Sequence, residues 1–270
     1  MSQDVMTKER PQSGYAKNPG HKLRFEPSPR RVRCTFNGEA IADSTSMRLL
    51  YEPKHLPVYY FPREDVNVAL LKRTKHSTHC PWKGDASYWT IDVAGKVLEN
   101  SAWTYEDPYP EIAEIKDFVS FYWGRMDHWY EEDEEIFVHP RDPYGRVDVV
   151  DSKRPVEVVL GGETIASSSR TRFLFETGLP TRYYIPREDV RTDLLEPSET
   201  TTACPYKGIA SYHSARVNGV THEDIVWYYP DPIAECPGIK DLLCFYNENV
   251  DEILVGGQAI PKIETKWSRK

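Results

Sequence analysis

The sequence predicts a mainly β chain built from two tandem copies of one domain, and three observations carry that prediction. Residues 32–127 overlay 156–251 at a constant shift of 124 without a gap, and about 40 of the 96 positions are identical. Unrelated segments do not match to that extent, so one ancestral domain has been duplicated. Each copy opens with a short alternating stretch, 32–41 or 156–165, broken by Asn37-Gly38 or Gly161-Gly162, a dipeptide pattern that turns a β-hairpin. Aromatic residues make up 12% of the chain, with Tyr alone at 17, which suits strands with one face packed. The same tyrosines also suit flat pocket walls, and composition alone leaves both readings open.

The elements follow in order. After the opening hairpin, 59–61 and 182–185 read as strands that end at Pro62 and Pro186. Each proline is placed to begin a short helical turn, with Glu64-Asp65 or Glu188-Asp189 at its positive end. Residues 87–93 and 211–217 read as strands followed by turns at Gly95 and Gly219. The aromatic stretches 102–105 and 226–229 read as further strands cut off by Asp-Pro. The predicted organisation is a mobile N-terminal tail over 1–27, a first repeat over 28–137, a proline-bearing charged linker over 138–155, a second repeat over 156–260 and a basic tail over 261–270. Contact between the two repeats within the chain is expected.

Composition narrows the function classes. A net charge of −8 repels phosphate backbones, so nucleic acid is not an expected partner. No run of 18 apolar residues occurs, and residues 1–23 are polar where a signal peptide needs an apolar centre, so neither a membrane nor a secretory route is expected and a cytoplasmic location is. The five cysteines form no CxxC pair and leave one over, which fits reduced thiols. The sequence leaves the oligomeric state open.

Four motifs recur in both copies: Y-Y-x-P-R-E-D-V from Tyr59 and Tyr183, C-P-[WY]-K-G-x-A-S-Y from Cys80 and Cys204, W-x-Y-x-D-P from Trp103 and Trp227, and I-K-D-x-x-x-F-Y from Ile115 and Ile239. The set resembles the domain-of-unknown-function family numbered 427, sometimes labelled nucleotidyltransferase-like. That resemblance covers both copies and implies a β-tent-like fold: two antiparallel sheets per domain with one or two short helices, and ligands held on the concave face between the sheets. Many β-tent domains hold a structural zinc on two CxxC pairs; none is present here, so no metal is expected. The transferase label implies nucleotide-binding loops, but the chain has no GxxxxGK[ST] and no Gly-Ser followed by paired acidic residues, so nucleotidyl transfer is not expected.

Candidate chemistry comes from the retained polar and aromatic residues. Cys80 and Cys204 are the only cysteines kept at equivalent positions, each three residues before Lys83 or Lys207; a nearby ammonium activates a thiol, and small buried packing residues are the alternative. The lysines suit an anion clamp or an amine nucleophile, or an ion pair with the Glu-Asp motif. Arg63 and Arg187 suit an anionic ligand or a purely structural role. Trp82, Tyr88, Trp103 and Tyr105, with Tyr206, Tyr212, Trp227 and Tyr229 in the second copy, suit an aromatic slot for a flat or cationic group, or simple core packing. His76 and His79 beside Cys80 have metal-ligand spacing, but the second copy has Thr200 and Ala203 there. The acidic run 131–135 reads as a solvated face or the rim of a turn.

The reading that follows is a small-molecule-binding protein with an aromatic-walled pocket in each repeat. An enzymatic version needs no cofactor: Glu64 or Asp65 as acid or base, Lys83 as clamp or nucleophile and Cys80 as thiol, while Arg63 and, in the second copy, Arg187, Glu188, Cys204 and Lys207 are ligand-binding residues. The alternative is a ligand sensor or scaffold in which the same groups only pack.

Overall fold

The computed structural model describes residues 11–268. The chain divides into two compact units, Met1–Pro140 and Arg141–Lys270. Each has a seven-stranded and a four-stranded sheet, and every strand pair is antiparallel. In the first unit the strands are β1 (Arg24–Pro27), β2 (Val32–Phe36), β3 (Glu39–Ser44), β4 (Arg48–Tyr51), β5 (Val58–Pro62), β6 (Leu71–Cys80), β7 (Gly84–Val93), β8 (Lys96–Thr104), β9 (Phe118–Phe121), β10 (His128–Glu131) and β11 (Glu134–Ile136). The second unit repeats them as β12 (Val147–Ser152), β13 (Val156–Leu160), β14 (Glu163–Ser168), β15 (Thr171–Glu176), β16 (Arg182–Ile185), β17 (Leu195–Cys204), β18 (Gly208–Val217), β19 (Val220–Tyr228), β20 (Leu243–Phe245), β21 (Glu252–Val255) and β22 (Gln258–Ala259). The large sheet runs β1-β4-β5-β9-β8-β7-β6 in one unit and β12-β15-β16-β20-β19-β18-β17 in the other. The duplication therefore extends to topology strand for strand.

Local chemistry explains the turns. Asn37 and Gly38 both take positive φ, 50° and 81°, the geometry of a two-residue hairpin whose twist matches its strands. The Pro-Arg-Glu-Asp turns are short. Arg63–Asp65 and Arg187–Asp189 form single 3-10 turns, because Val66 and Val190 return to extended backbone and take up bridges to Ala42 and Ala166. Only such 3-10 turns, and no α-helix, occur among the described residues.

Two stretches read as tail and linker carry the first strand of each unit. β1 pairs with β4, and β12 pairs with β15 over six residues. Neither signals itself in the sequence, since each is a sheet-edge strand whose side chains are mostly half-buried or exposed. The remainder of the N-terminal stretch, 11–23, contains a 3-10 turn at Gly14–Ala16; residues 1–10 lie outside the described residues, as do 269–270 of the C-terminal stretch. The strands β6 and β17, ten residues each, are also absent from the sequence reading.

The large sheet is packed on both faces. In the first unit Val32, Cys34, Phe36, Tyr59, Phe61, Trp89 and Phe121 fill the space between the two sheets. On the opposite face Phe25, Leu50, Tyr60, Tyr88, Tyr105, Ile112 and Ile115 form a second cluster. The alternation of Tyr59 with Tyr60, and of Trp89 with Tyr88, sends neighbouring aromatics to opposite clusters, as the pleat requires. Glu131, read as part of a solvated acidic face, is instead buried, where its carboxylate accepts from the Tyr59 hydroxyl and pairs with Arg30. Among the described residues no helix is long and apolar enough to cross a membrane.

Candidate functional site

The second aromatic face of the first unit opens into a cleft of about 550 Å³. Its wall is aromatic: Tyr60, Tyr88, Trp103, Tyr105 and Tyr122, from β5, β7, β8 and the loops that follow β8 and β9. Lys83 and Glu52 close one side, and Lys54, His55 and Leu56 stand exposed at the rim. Hydrogen bonds fix the wall. The Trp103 indole N–H donates to the Tyr60 hydroxyl at 3.1 Å, and the Tyr88 hydroxyl lies 2.9 Å from that of Thr78. The Trp103 and Tyr122 rings lie 4.6 Å apart, tilted by 44°. Burial pushes the Tyr122 phenol up to about 12 and the Tyr60 and Tyr105 phenols further, so all three stay neutral at ordinary pH.

The Cys-Pro-Trp-Lys-Gly turn delivers the lysine. It links β6 to β7, with the Lys83 N–H donating to the Cys80 carbonyl, and Gly84 follows at φ 103°, a backbone region that L side chains avoid. Gly208 repeats this at φ 105°, where an added Cβ would meet the Asp231 carbonyl oxygen at 3.1 Å. Lys83 points inward and donates to Glu52 at 2.6 Å, both side chains being largely buried. Trp82 points the other way. Its indole is stacked by His21 at 3.8 Å and met edge-on by Tyr15, while the Gly14 N–H donates to the Pro81 carbonyl at 2.7 Å. Gly14 is required there, because a Cβ would stand 2.8 Å from the indole. The stretch 11–23 thus covers the turn, and His21 Nε2 lies 3.6 Å from the other Glu52 oxygen.

Of the residues singled out from sequence, Lys83, Tyr88, Trp103 and Tyr105 line the cleft. Cys80 is half-buried against the same cluster, and Trp82 lies behind the turn. Arg63, Glu64 and Asp65 do not join them: Arg63 and Glu64 are exposed, Arg63 sits over Trp89, and Asp65 accepts from the Ser44 hydroxyl at 2.6 Å. Arg187, Glu188 and Asp189 repeat this placement, with Arg187 over Tyr228, Glu188 beside Arg170 and Asp189 bonded to Ser168 and Arg170. The face is also not the one implied by the resemblance. The space between the sheets is filled by core, and the cleft lies on the far side of the large sheet.

The second unit keeps the frame. Lys207 is hydrogen-bonded to Glu176, and Trp227 donates to Tyr184 at 3.1 Å, with Tyr212, Tyr229 and Tyr246 beside them. Burial opposes the charge on Lys207, but Cys204 and Glu176 more than offset it and hold the ammonium above its usual range, so it is no free amine at neutral pH. Tyr206, standing where Trp82 does, accepts a hydrogen bond from the Asp142 N–H at 2.7 Å. Burial pushes the Cys236 and Cys244 thiols up to about 11 and about 12, and Cys34 higher still, so these three are inert packing residues. His79 pairs with Asp85 at 2.6 Å and His76 lies against Tyr88; among the described residues no three His, Cys, Asp or Glu side chains gather to hold a metal.

Glu52, Tyr60 and Tyr122 were not among the sequence candidates. All three are identical in the second copy, as Glu176, Tyr184 and Tyr246, and retention across the shift was the signal that marked them.

No curated protein matches the chain. The family described as a domain of unknown function, DUF427, matches twice, over residues 24–132 and 148–256, two segments offset by the same 124 positions, the first starting with the edge strand β1 and the second starting within the edge strand β12. Together they cover most of the sequence, and the chain belongs to the DUF427 family as a tandem pair of its domains.

Proposed function

We propose that the protein binds a small organic molecule in the aromatic cleft of its first unit. The observation that carries this reading is the cleft itself: about 550 Å³, walled by five aromatic side chains, with a few polar groups gathered on one side. That combination of apolar walls and sparse, fixed polar groups is what small-molecule sites offer. Support for catalysis is thinner, because the acid-base pair Glu64-Asp65 stands outside the cleft and Lys83 is held by Glu52. Lys83 with Glu52 then acts as a rigid polar edge that orients the ligand.

The test is a panel of neutral, anionic and cationic fragments, read by thermal shift and ligand-observed NMR on wild type and on Tyr122→Ala. Tyr122 is 44% exposed, so its truncation removes wall surface at small cost to folding. At least one charge class is expected to stabilise the wild type and to lose most of that shift in the variant. A panel with no binder, or with binders indifferent to Tyr122, would overturn the reading.

A further inference from the structure

The first unit's cleft has a counterpart in which the protein has seated one of its own side chains. Arg182 stands in the second unit where Val58 lines the first cleft. Its guanidinium lies 5.4 Å from the Trp227 ring centre, 5.9 Å from Tyr246 and 5.7 Å from Trp267, and it forms a bidentate pair with Glu248 at 2.7 Å for both contacts. Both partners are buried, Glu248 to 1% exposure. Burial alone would raise the Glu248 carboxyl, but hydrogen bonds from Arg182 and Thr265 hold it below its usual range. Trp267 roofs the pair, so the stretch read as a basic tail supplies a wall here.

The surrounding frame is the same in both units. Trp227 and Tyr246 lie 4.5 Å apart at 49°, against 4.6 Å and 44° for Trp103 and Tyr122. Tyr184 meets Trp227 at 6.4 Å and 88°, against 6.3 Å and 89° for Tyr60 and Trp103. One frame therefore encloses a planar cation, and the other has the short Val58 and an open hollow. Glu248 is also missing from the first unit, where Gly124 takes its place. The rim of the open cleft instead carries Lys54 and His55.

Resting on the binding reading above, we infer that the first cleft takes up a small zwitterion: a planar guanidinium or amidinium head in the seat that Arg182 fills, and a carboxylate tail at the rim. The ring faces attract the head, as they do the guanidinium of Arg182. With no counterpart of Glu248, the ligand brings its own carboxylate, and Lys54 at the mouth receives it.

The experiment uses the full chain and calorimetric titration with three probes: 4-guanidinobutyrate, its uncharged-head isostere 4-ureidobutyrate, and butylguanidinium. The guanidino acid is expected to bind at one site per chain, with each other probe about tenfold weaker or more. The variant Val58→Arg/Gly124→Glu transplants the second unit's pair into the cleft. Gly124 has no neighbouring atom within 4 Å of an added Cβ, so the site has room for the glutamate. Binding should vanish in that variant while its melting temperature is kept. Should the double variant fail to fold, Tyr122→Ala must still weaken the guanidino acid about tenfold. Equal affinity for the ureido and guanidino acids, or binding that survives the double variant, overturns the cation seat but leaves a ligand-binding cleft standing; binding indifferent to Tyr122→Ala overturns both. If none of the three probes binds while other fragments bind in a Tyr122-dependent way, the cation seat also fails; if no fragment binds at all, both readings fail.

Discussion

Lys83 shows at the scale of one residue why a retained polar group need not be reactive. Its ammonium is buried with a single strong partner, Glu52, and the second unit repeats the pair as Lys207 with Glu176. Removing one partner of such a pair leaves the other charge buried and uncompensated, whereas removing both leaves only a packing change. Glu52→Ala is therefore expected to cost on the order of 3 kcal/mol in urea unfolding, and Glu52→Leu/Lys83→Met together far less. If the single and double variants are equally unstable, the pair is not the reason for retention. The lysines, cysteines and aromatics of the site were legible in the sequence because duplication kept them in clustered motifs. Glu52 stands outside those clusters, and only its equality with Glu176 at the 124 shift distinguishes it, while Tyr122 closes the I-K-D-x-x-x-F-Y motif without having been read as part of the site. Glu64 and Asp65 stand apart from the cleft for a geometric reason: Pro62 ends β5 and turns the chain onto the face opposite Tyr60, where Asp65 accepts from the Ser44 hydroxyl.

At the scale of elements, the hairpins and the aromatic strands were readable, because turn dipeptides and alternation are local signals. The strands β6 and β17 were not. They lie at the end of the large sheet with most side chains exposed, so they show no apolar face for periodicity to find. Within β18, His213 replaces the Trp89 of β7. It stacks on Tyr228 at 5.0 Å, and its pKa is lowered, first by burial and then by the Arg187 guanidinium 3.3 Å away. A base whose folded pKa is lowered leaves stability intact above its ordinary value of about 6.5 and erodes it as pH falls from there toward the folded value. The second unit is thus expected to lose stability as pH falls below about 6.5, and His213→Phe to flatten that slope in urea titrations followed by tryptophan fluorescence. An unchanged slope would assign the acid sensitivity elsewhere.

At the scale of the whole chain, duplication was the most legible feature, since it needs only the sequence compared with itself. The divergence between copies was not: Val58 against Arg182 and Gly124 against Glu248 read as two unremarkable substitutions until the fold brings Arg182 and Glu248 together. Each unit has its own inter-sheet core, from Val32 to Ile136 in one and Val156 to Val255 in the other. A core of that extent sustains a domain of ordinary size. Residues 1–140 expressed alone are therefore expected to unfold cooperatively and to give dispersed amide resonances; a collapsed spectrum would show that the halves depend on each other.

The outermost strands β6 and β17 leave one question of colloidal behaviour answered by charge. A ten-residue strand at a sheet margin invites a stranger's backbone to pair with it, the first step toward fibrils. Here one margin displays Lys72, Arg73 and Lys75, and the other Glu196 and Glu199 with Pro197, which has no amide hydrogen to give. Lys72 and Arg73 are paired with Asp92 and Glu106, but Lys75 on one margin and Glu196 and Glu199 on the other still meet their own sign when two like margins approach, which discourages symmetric zippering.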